Sequence, residues 1–227
     1  MQGKVAEKFP RMVEQIVAEK HEVQSHGYSH RSLLGMSPAT LRAELQRARA
    51  SVEDASGLPI TAFRAPDFSI GLENLWALEY LAEAGFTVDS SIFPIRTRRY
   101  GIATWQLAPQ AVPLSGGRTI LEIPVAVWSV AGRRIPVGGG GYFRLWPGSL
   151  LQRAFQSILS EGRPVVIYCH PYEFNKRELN DYRAQVPYRT RLTQGLGRPS
   201  FVRRVRRLLA QLRLGRLDEV VRAWNLG

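Results

Sequence analysis

Apolar and polar positions along the chain follow a helical period in some segments and a strand-like pattern in others. Residues 4–19 carry apolar side chains at helical spacing, with Pro10 marking a helix start after a turn. The pair Ser37-Pro38 is typical of a helix N-terminus, and Gly57 of its C-terminal end. The other predicted elements are strands over 58–64, 86–88, 120–130 and 164–169 and helices over 72–84, 147–160, 201–214 and 217–224.

This alternation of strands and helices predicts an α/β fold with parallel strands. Polar groups that follow parallel strands gather at one edge of such a sheet. His26, Arg64, Asp89 and His170 each follow or end a strand-like run. We therefore expect these four side chains at a common rim. The glycine run 138–141 is predicted as a flexible loop, because it lacks the Lys-Ser/Thr that completes a phosphate-binding loop.

The composition indicates one domain with a sizeable core, since 44% of the 227 residues are apolar. No apolar run reaches the length of about 18 residues that a membrane span requires. Charges occupy residues 1–8, where a secretion signal would be hydrophobic, so we expect a cytoplasmic protein. The single cysteine, Cys169, rules out an intramolecular disulfide and a multi-cysteine zinc site.

The positive charge is concentrated near the C-terminus. Residues 176–227 hold 13 Lys and Arg against 4 Asp and Glu, a net charge of +9 out of the total of +12. Such a segment can contact a membrane surface or an anionic polymer, and the alternative is a solvated helix face. Nucleic acid is not the expected partner. We predict a catalytic domain over 1–175 and a basic helical extension over 176–227 packed on the same domain.

Four motifs carry the candidate chemistry. In chain order they are His26-Gly27-Tyr28-Ser29-His30, Arg64-Ala65-Pro66-Asp67-Phe68-Ser69, Asp89-Ser90-Ser91 and His170-Pro171-Tyr172-Glu173-Phe174. Their order and spacing resemble the polysaccharide deacetylases of the NodB-homology type. The stretch Gly139-Gly140-Gly141-Tyr142-Phe143-Arg144 also resembles the bacterial branch of that family associated with exosortase and exopolysaccharide systems.

The resemblance implies a distorted (β/α) barrel that binds a divalent metal and hydrolyses the N-acetyl group of a sugar. His26 and His30 match the two histidine ligands of the metal. Zinc is the first expectation, with cobalt, nickel or manganese as alternatives. Arg64 matches the arginine that orients the catalytic carboxylate, and His170 matches the acid that protonates the leaving amine. Asp89 is the expected partner that keeps His170 charged.

The chain also departs from the family pattern. The family's metal-binding aspartate and catalytic base come from an acidic motif on its first strand, before the histidine pair. Only Glu7, Glu14, Glu19 and Glu22 precede His26 here, and none matches that motif. We therefore expect an incomplete barrel that lacks the first strand or strands, with any signal segment lost alongside them.

Two functions remain open at this point. The first is a metal-dependent hydrolase that removes N-acetyl groups from a polysaccharide or lipid-linked sugar during exopolysaccharide assembly, and which is inactive if the missing strand is essential. The second is a non-catalytic remnant or a module that binds an anionic glycan or membrane through its basic C-terminal region, and which is peripheral to the membrane in that case.

Overall fold

A computed structural model describes residues 1–175, 177–182 and 184–223. The chain forms two compact units. The first, here the N-terminal unit, contains Met1–Pro124 and the residues from Gly215 onward, and the second, here the C-terminal unit, contains Val125–Leu214. The predicted division into 1–175 and 176–227 stays a prediction.

Helices make up most of the regular structure. Numbered in chain order, those described are α1 Gly3–Lys8, α2 Pro10–Ala18, α3 Pro38–Ser56, α4 Ala77–Glu83, α5 Gly140–Leu145, α6 Gly148–Ser160, α7 Pro171–Phe174, α8 Glu178–Asp181, α9 Tyr188–Gly195, α10 Arg198–Leu209 and α11 Leu217–Ala223. The predicted caps of α3 are confirmed. The Ser37 hydroxyl accepts the Thr40 N–H at 3.2 Å, and Gly57 ends the helix in the left-handed conformation with φ 67°.

The described strands are short and form two sheets. They are β1 Ala62–Phe63, β2 Val88–Asp89, β3 Gln110–Pro113, β4 Thr119–Glu122, β5 Val127–Val130 and β6 Arg133–Pro136. In the larger sheet the order is β1-β2-β4-β3, in which β1, β2 and β4 are parallel and β3 is antiparallel to β4. Strands β5 and β6 form a separate antiparallel pair. The prediction of an α/β fold with parallel strands is thereby confirmed.

Each unit has a hydrophobic core of its own. In the N-terminal unit, the apolar face of α3 packs with the sheet and α4, and fully buried members include Leu41, Leu45 and Phe86. In the C-terminal unit, the amphipathic helices α6 and α10 supply buried residues such as Phe155 and Phe201. Burying each of these side chains contributes on the order of 2 kcal/mol. The basic helix α10 therefore has one face in a core, while Arg203, Arg204, Arg206 and Arg207 are exposed.

Several sequence predictions differ from the structure. The segment 164–169, predicted as a buried strand, is extended and half-buried, with one parallel bridge from Tyr168 to Gly139. The prediction of a loop over the glycine run 138–141 is wrong for its second half, because α5 begins at Gly140. The segment 164–169 forms no regular strand, since the backbone that it pairs with is itself irregular. Trp224, the predicted end of the last helix, lies outside the described residues.

Hydropathy gives no membrane-spanning candidate within the described part of the chain. None of its helices combines the length and the apolar character that crossing a bilayer requires.

Candidate metal and acid–base site

Neighbouring strands deliver three of the predicted site residues to one edge of the larger sheet. Ser25 forms a parallel bridge with Phe63, and Phe63 is in register with Asp89. His26 directly follows Ser25 in the chain, and Arg64 directly follows Phe63. The expected gathering of His26, Arg64 and Asp89 at the ends of parallel strands is what this register produces. His170 belongs to the C-terminal unit.

The two histidines of the first motif lie side by side. Their ring centroids are 5.0 Å apart and the ring planes meet at 69°. A tight turn allows this approach, in which Gly27 has φ 74° and His30 has φ 56°. A positive φ at a residue other than glycine is uncommon and costs about 1–3 kcal/mol, and such strain clusters at functional sites. Residues four apart lie on the same face of an ideal helix. Here a tight turn brings the two imidazoles together instead.

A hydrogen bond fixes the orientation and tautomer of the His26 ring. Its Nδ1 lies 2.7 Å from the backbone oxygen of Arg64. A carbonyl oxygen only accepts, so Nδ1 carries the hydrogen and Nε2 keeps a free lone pair. Burial lowers the pKa of His26 to about 4, although the same hydrogen bond favours the charged form. The ring is thus neutral at pH 7, as a metal ligand must be, and is held as metal-ligating histidines usually are.

A carboxylate that the sequence analysis missed holds the turn between the histidines. Oε1 of Glu44 accepts the N–H of Tyr28 at 3.2 Å, the N–H of Ser29 at 2.6 Å and the hydroxyl of Ser29 at 2.7 Å. Glu44 lies on α3 and is 9% exposed. The sequence carried a signal for it, because this acid stands between Leu41 and Leu45 on the apolar face of the helix.

Arg64 is tied to the neighbouring strand end. Its Nε donates to the backbone oxygen of Ser90 at 2.9 Å, and its Nη2 donates to the Ser90 hydroxyl at 2.6 Å. That hydroxyl in turn donates to the carbonyl of Ile123 at 2.6 Å. The guanidinium therefore links three successive strand ends of the sheet.

Asp89 lies fully buried beside a second carboxyl, that of Glu122. The two residues face each other in register on β2 and β4, and both are 0% exposed. The Ser91 hydroxyl donates to Oδ1 of Asp89 at 2.5 Å, and Oε1 of Glu122 accepts the N–H of Ile92 at 2.9 Å. Burial raises the pKa of both carboxyls, and the nearby charge of Asp89 raises that of Glu122 further. Burial and the charge of Asp89 thus favour the protonated form of Glu122.

His170 ends the extended segment of the C-terminal unit and precedes α7. Its side chain is 46% exposed, and its ring stacks on Tyr172 with centroids 4.9 Å apart. The carboxylate beside it in this unit is Glu173, with Oε2 at 3.5 Å from Nδ1. Its predicted pairing with Asp89 stays a prediction. Burial raises the pKa of the adjacent Cys169 thiol to about 12, so this cysteine is not a nucleophile at neutral pH.

The residues present fit a divalent metal in part. His26 offers a neutral nitrogen with a free lone pair, and His30 places a second imidazole beside it. Catalytic zinc sites commonly use three protein ligands. Among the residues that the structure describes, no group of three or more His, Cys, Asp or Glu side chains is arranged to hold an ion. The histidine pair thus fits two positions of such a site.

Two family models match successive parts of the chain. Residues 1–88 match the family model of the polysaccharide deacetylases, and residues 90–222 match a model described as a domain of unknown function, DUF3473. The chain belongs to the DUF3473 family, whose model covers more than half of it, and its N-terminal part is similar to the polysaccharide deacetylases. No curated protein matches the sequence significantly. The placement in the exosortase-associated branch stays a prediction.

Solved structures show the same fold at low sequence identity. A proposed polysaccharide deacetylase from Mycobacterium smegmatis is 18% identical with a TM-score of 0.62, where the match covers 99% of this chain and 70% of that one. PuuE allantoinase is 18% identical with a TM-score of 0.63, covering 99% and 66%. The probable polysaccharide deacetylase of Pseudomonas aeruginosa PAO1 is 18% identical with a TM-score of 0.62, covering 98% and 65%.

These likenesses confirm the fold class as the α/β fold of the NodB-type deacetylases, a distorted (β/α) barrel. The chain spans about two thirds of the length of these structures.

Proposed function

We propose that this chain supplies the histidine part of a metal-dependent carbohydrate N-deacetylase site. The substrate class is an N-acetylated polysaccharide or lipid-linked sugar, and the products are acetate and a free amine. One observation carries the proposal: a neutral His26, fixed through Nδ1 by the Arg64 carbonyl at 2.7 Å, lies beside His30. This is the orientation that frees Nε2 for an ion.

In this proposal His26 and His30 would hold the metal. Zinc suits the two imidazole donors, with cobalt, nickel or manganese as alternatives. Bound there, the metal would polarise the acetamide oxygen and lower the pKa of a water molecule. The bonds of Arg64 to Ser90 fix its guanidinium at the edge of the sheet, where it would orient a catalytic carboxylate.

His170 is proposed as the general acid. Cleavage of an amide needs a proton on the departing nitrogen, because an unprotonated amine leaves poorly. An imidazole exposed to solvent on one side can deliver that proton and regain it from water. Asp89 takes no chemical step in this proposal, because its side chain is fully buried and accepts the Ser91 hydroxyl.

Acetate release from an N-acetylated glycan, with added zinc, tests the proposal. His26→Ala and His170→Ala are each expected to lower turnover by at least about 100-fold, the scale of losing a ligand or a general acid. His21→Ala is the matched control, since His21 is exposed and outside the four motifs. Equal turnover in wild type, His26→Ala and His21→Ala would reject the proposal.

A second candidate function follows from the basic helix α10. Its exposed arginines Arg203, Arg206 and Arg207 lie together with Pro199 and Val202 around an open groove of about 460 Å³. The opposite face of the same helix is buried, so these arginines are held on a fixed surface. We propose that this arginine face binds an anionic glycan, whether or not the chain is catalytic.

A further inference from the structure

The buried carboxylate of Glu173 contacts His170 in two ways. Its Oε2 accepts the backbone N–H of His170 at 2.9 Å and lies 3.5 Å from Nδ1 of the imidazole. The Glu173 side chain is only 3% exposed, whereas the His170 side chain is 46% exposed. One oxygen atom therefore holds both the backbone and the ring of His170 while the rest of the ring remains open.

Arg144 on α5 compensates the buried charge of Glu173. Its Nε lies 3.4 Å from Oε1 of the carboxylate, and the Arg144 side chain is 7% exposed. Gln194 fixes the other end of the guanidinium, through its backbone oxygen and through its side-chain oxygen at 3.0 Å. Burial favours a neutral carboxyl, but the hydrogen bonds from His170 and the charge of Arg144 keep the pKa of Glu173 below its usual value. Glu173 is thus a carboxylate at neutral pH.

The glycine run explains how the carboxylate fits. A Cβ on Gly140 would lie 2.1 Å from Oε2 of Glu173, and a Cβ on Gly139 would lie 2.8 Å from the Tyr168 hydroxyl. Neither position has a left-handed backbone, so glycine is needed here for space and not for conformation. Glu173 and the segment before His170 therefore pack closely against Gly139 and Gly140.

Aromatic rings limit the remaining freedom of the imidazole. Tyr172 stacks on the His170 ring with centroids 4.9 Å apart and planes 17° from parallel. Tyr168 meets it edge-on at 5.8 Å and 84°. Together with Glu173, these contacts set the plane of the ring and its rotation within that plane.

We propose that Glu173, held by Arg144, is a positioning residue for His170. It keeps the hydrogen of the neutral imidazole on Nδ1, facing the carboxylate, so that Nε2 is the nitrogen that exchanges a proton with the reacting group. The inference rests on the proposed acid role of His170 for its functional meaning. The arrangement itself lies within the C-terminal unit and can be measured without catalysis.

Nitrogen-15 NMR of the imidazoles tests this inference, with His170→Asn used to assign the His170 signals. In wild type with a neutral His170 ring, the Nδ1–H tautomer is expected to predominate, whereas free histidine favours Nε2–H. Glu173→Gln is expected to shift the population towards Nε2–H. The matched control is Glu161→Gln, which removes a glutamate that pairs with buried Arg163 at 2.6 Å in the same unit.

The outcomes separate this inference from the proposed function. A predominant Nε2–H tautomer in wild type overturns the inference directly, without any variant. An unchanged His170 tautomer in folded Glu173→Gln also overturns it. Where wild type releases acetate, Glu173→Gln should lower kcat by about 10- to 100-fold with little change in KM, because the substrate contacts remain. An Nδ1–H tautomer in a protein without turnover supports the positioning role and rejects the proposed function alone.

Discussion

At the scale of single residues, the imidazole pair depends on side chains that are not ligands themselves. The Arg64 carbonyl selects the tautomer of His26, and Glu44 accepts three hydrogen bonds from the turn between the histidines. Both contacts act on the backbone or the ring orientation. The geometry of the pair is therefore set before any ion is present.

Glu44→Ala should weaken both the fold and the metal site. It leaves the N–H groups of Tyr28 and Ser29 without their acceptor, which costs about 1–3 kcal/mol in the free energy of unfolding. Loss of such an outer contact is expected to lower zinc affinity by about 10- to 100-fold. Asp54→Ala, an exposed acid on the same helix, is the control and should change neither quantity. Unaltered zinc affinity in Glu44→Ala, measured by titration calorimetry, would contradict this assignment.

The sequence revealed the residues of the site better than it revealed their supports. His26, His30 and Arg64 were found because their spacing and their position after strand-like runs are visible in one dimension. Glu44 and Glu122 were missed because an acid on an apolar face acquires its partner only through folding. Glu173 belongs to one of the four motifs, but its partner Arg144 is 29 residues away in the chain. Only the packing of the folded chain brings the two together.

At the scale of elements, the facing carboxyls of Asp89 and Glu122 link stability to pH. Burial raises the pKa of Glu122 above its unfolded value of about 4.3, so the folded state binds the extra proton. This contribution is intact below that value and is lost as the pH rises towards the folded pKa. Wild-type stability in urea should therefore fall relative to Glu122→Gln as the pH rises above that unfolded value.

Glutamine suits this comparison because it can still accept the Ile92 N–H and can donate to Asp89 without titrating. Parallel stability curves for the two proteins across that pH range would show that Glu122 does not carry the raised pKa.

The glycine run offers a matched pair of substitutions on α5. Gly140→Ala places a Cβ against Glu173 and should destabilise the C-terminal unit by about 1–3 kcal/mol. Gly141→Ala meets its nearest neighbour, Arg144 Nη2, at 3.7 Å and should be neutral or stabilising by up to about 1 kcal/mol. Thermal unfolding of both variants checks the difference. Equal losses of stability in the two variants would mean that the start of the helix requires glycine, and that the space beside Glu173 does not.

Element boundaries were the least predictable part of the fold. Ser37 and Gly57 marked the ends of α3 correctly because capping is a local interaction. The segment 164–169 has the composition of a buried strand but pairs through a single bridge. Strand formation depends on a partner elsewhere in the chain, and periodicity carries no information about that partner.

At the scale of the whole molecule, the positive charge is concentrated near the C-terminus. The C-terminal 52 residues carry a net charge of +9, and α10 presents Arg203, Arg206 and Arg207 on its exposed face. Replacing these three arginines by glutamine should reduce binding to an anionic polysaccharide at least about tenfold at low salt, since the contact is electrostatic. Replacing Arg96, Arg98 and Arg99 in the N-terminal unit removes the same charge and is the control. Equal losses in both variants would indicate a net-charge effect without a defined surface.

The central claim is that His26 and His30 together bind one divalent ion. X-ray absorption at the zinc edge measures this directly on the protein loaded with one equivalent of zinc. We expect scattering from two imidazoles at about 2.0–2.1 Å in wild type and in His21→Ala. One imidazole should be lost in His26→Ala and in His30→Ala. Two imidazoles remaining in both single variants would contradict the account.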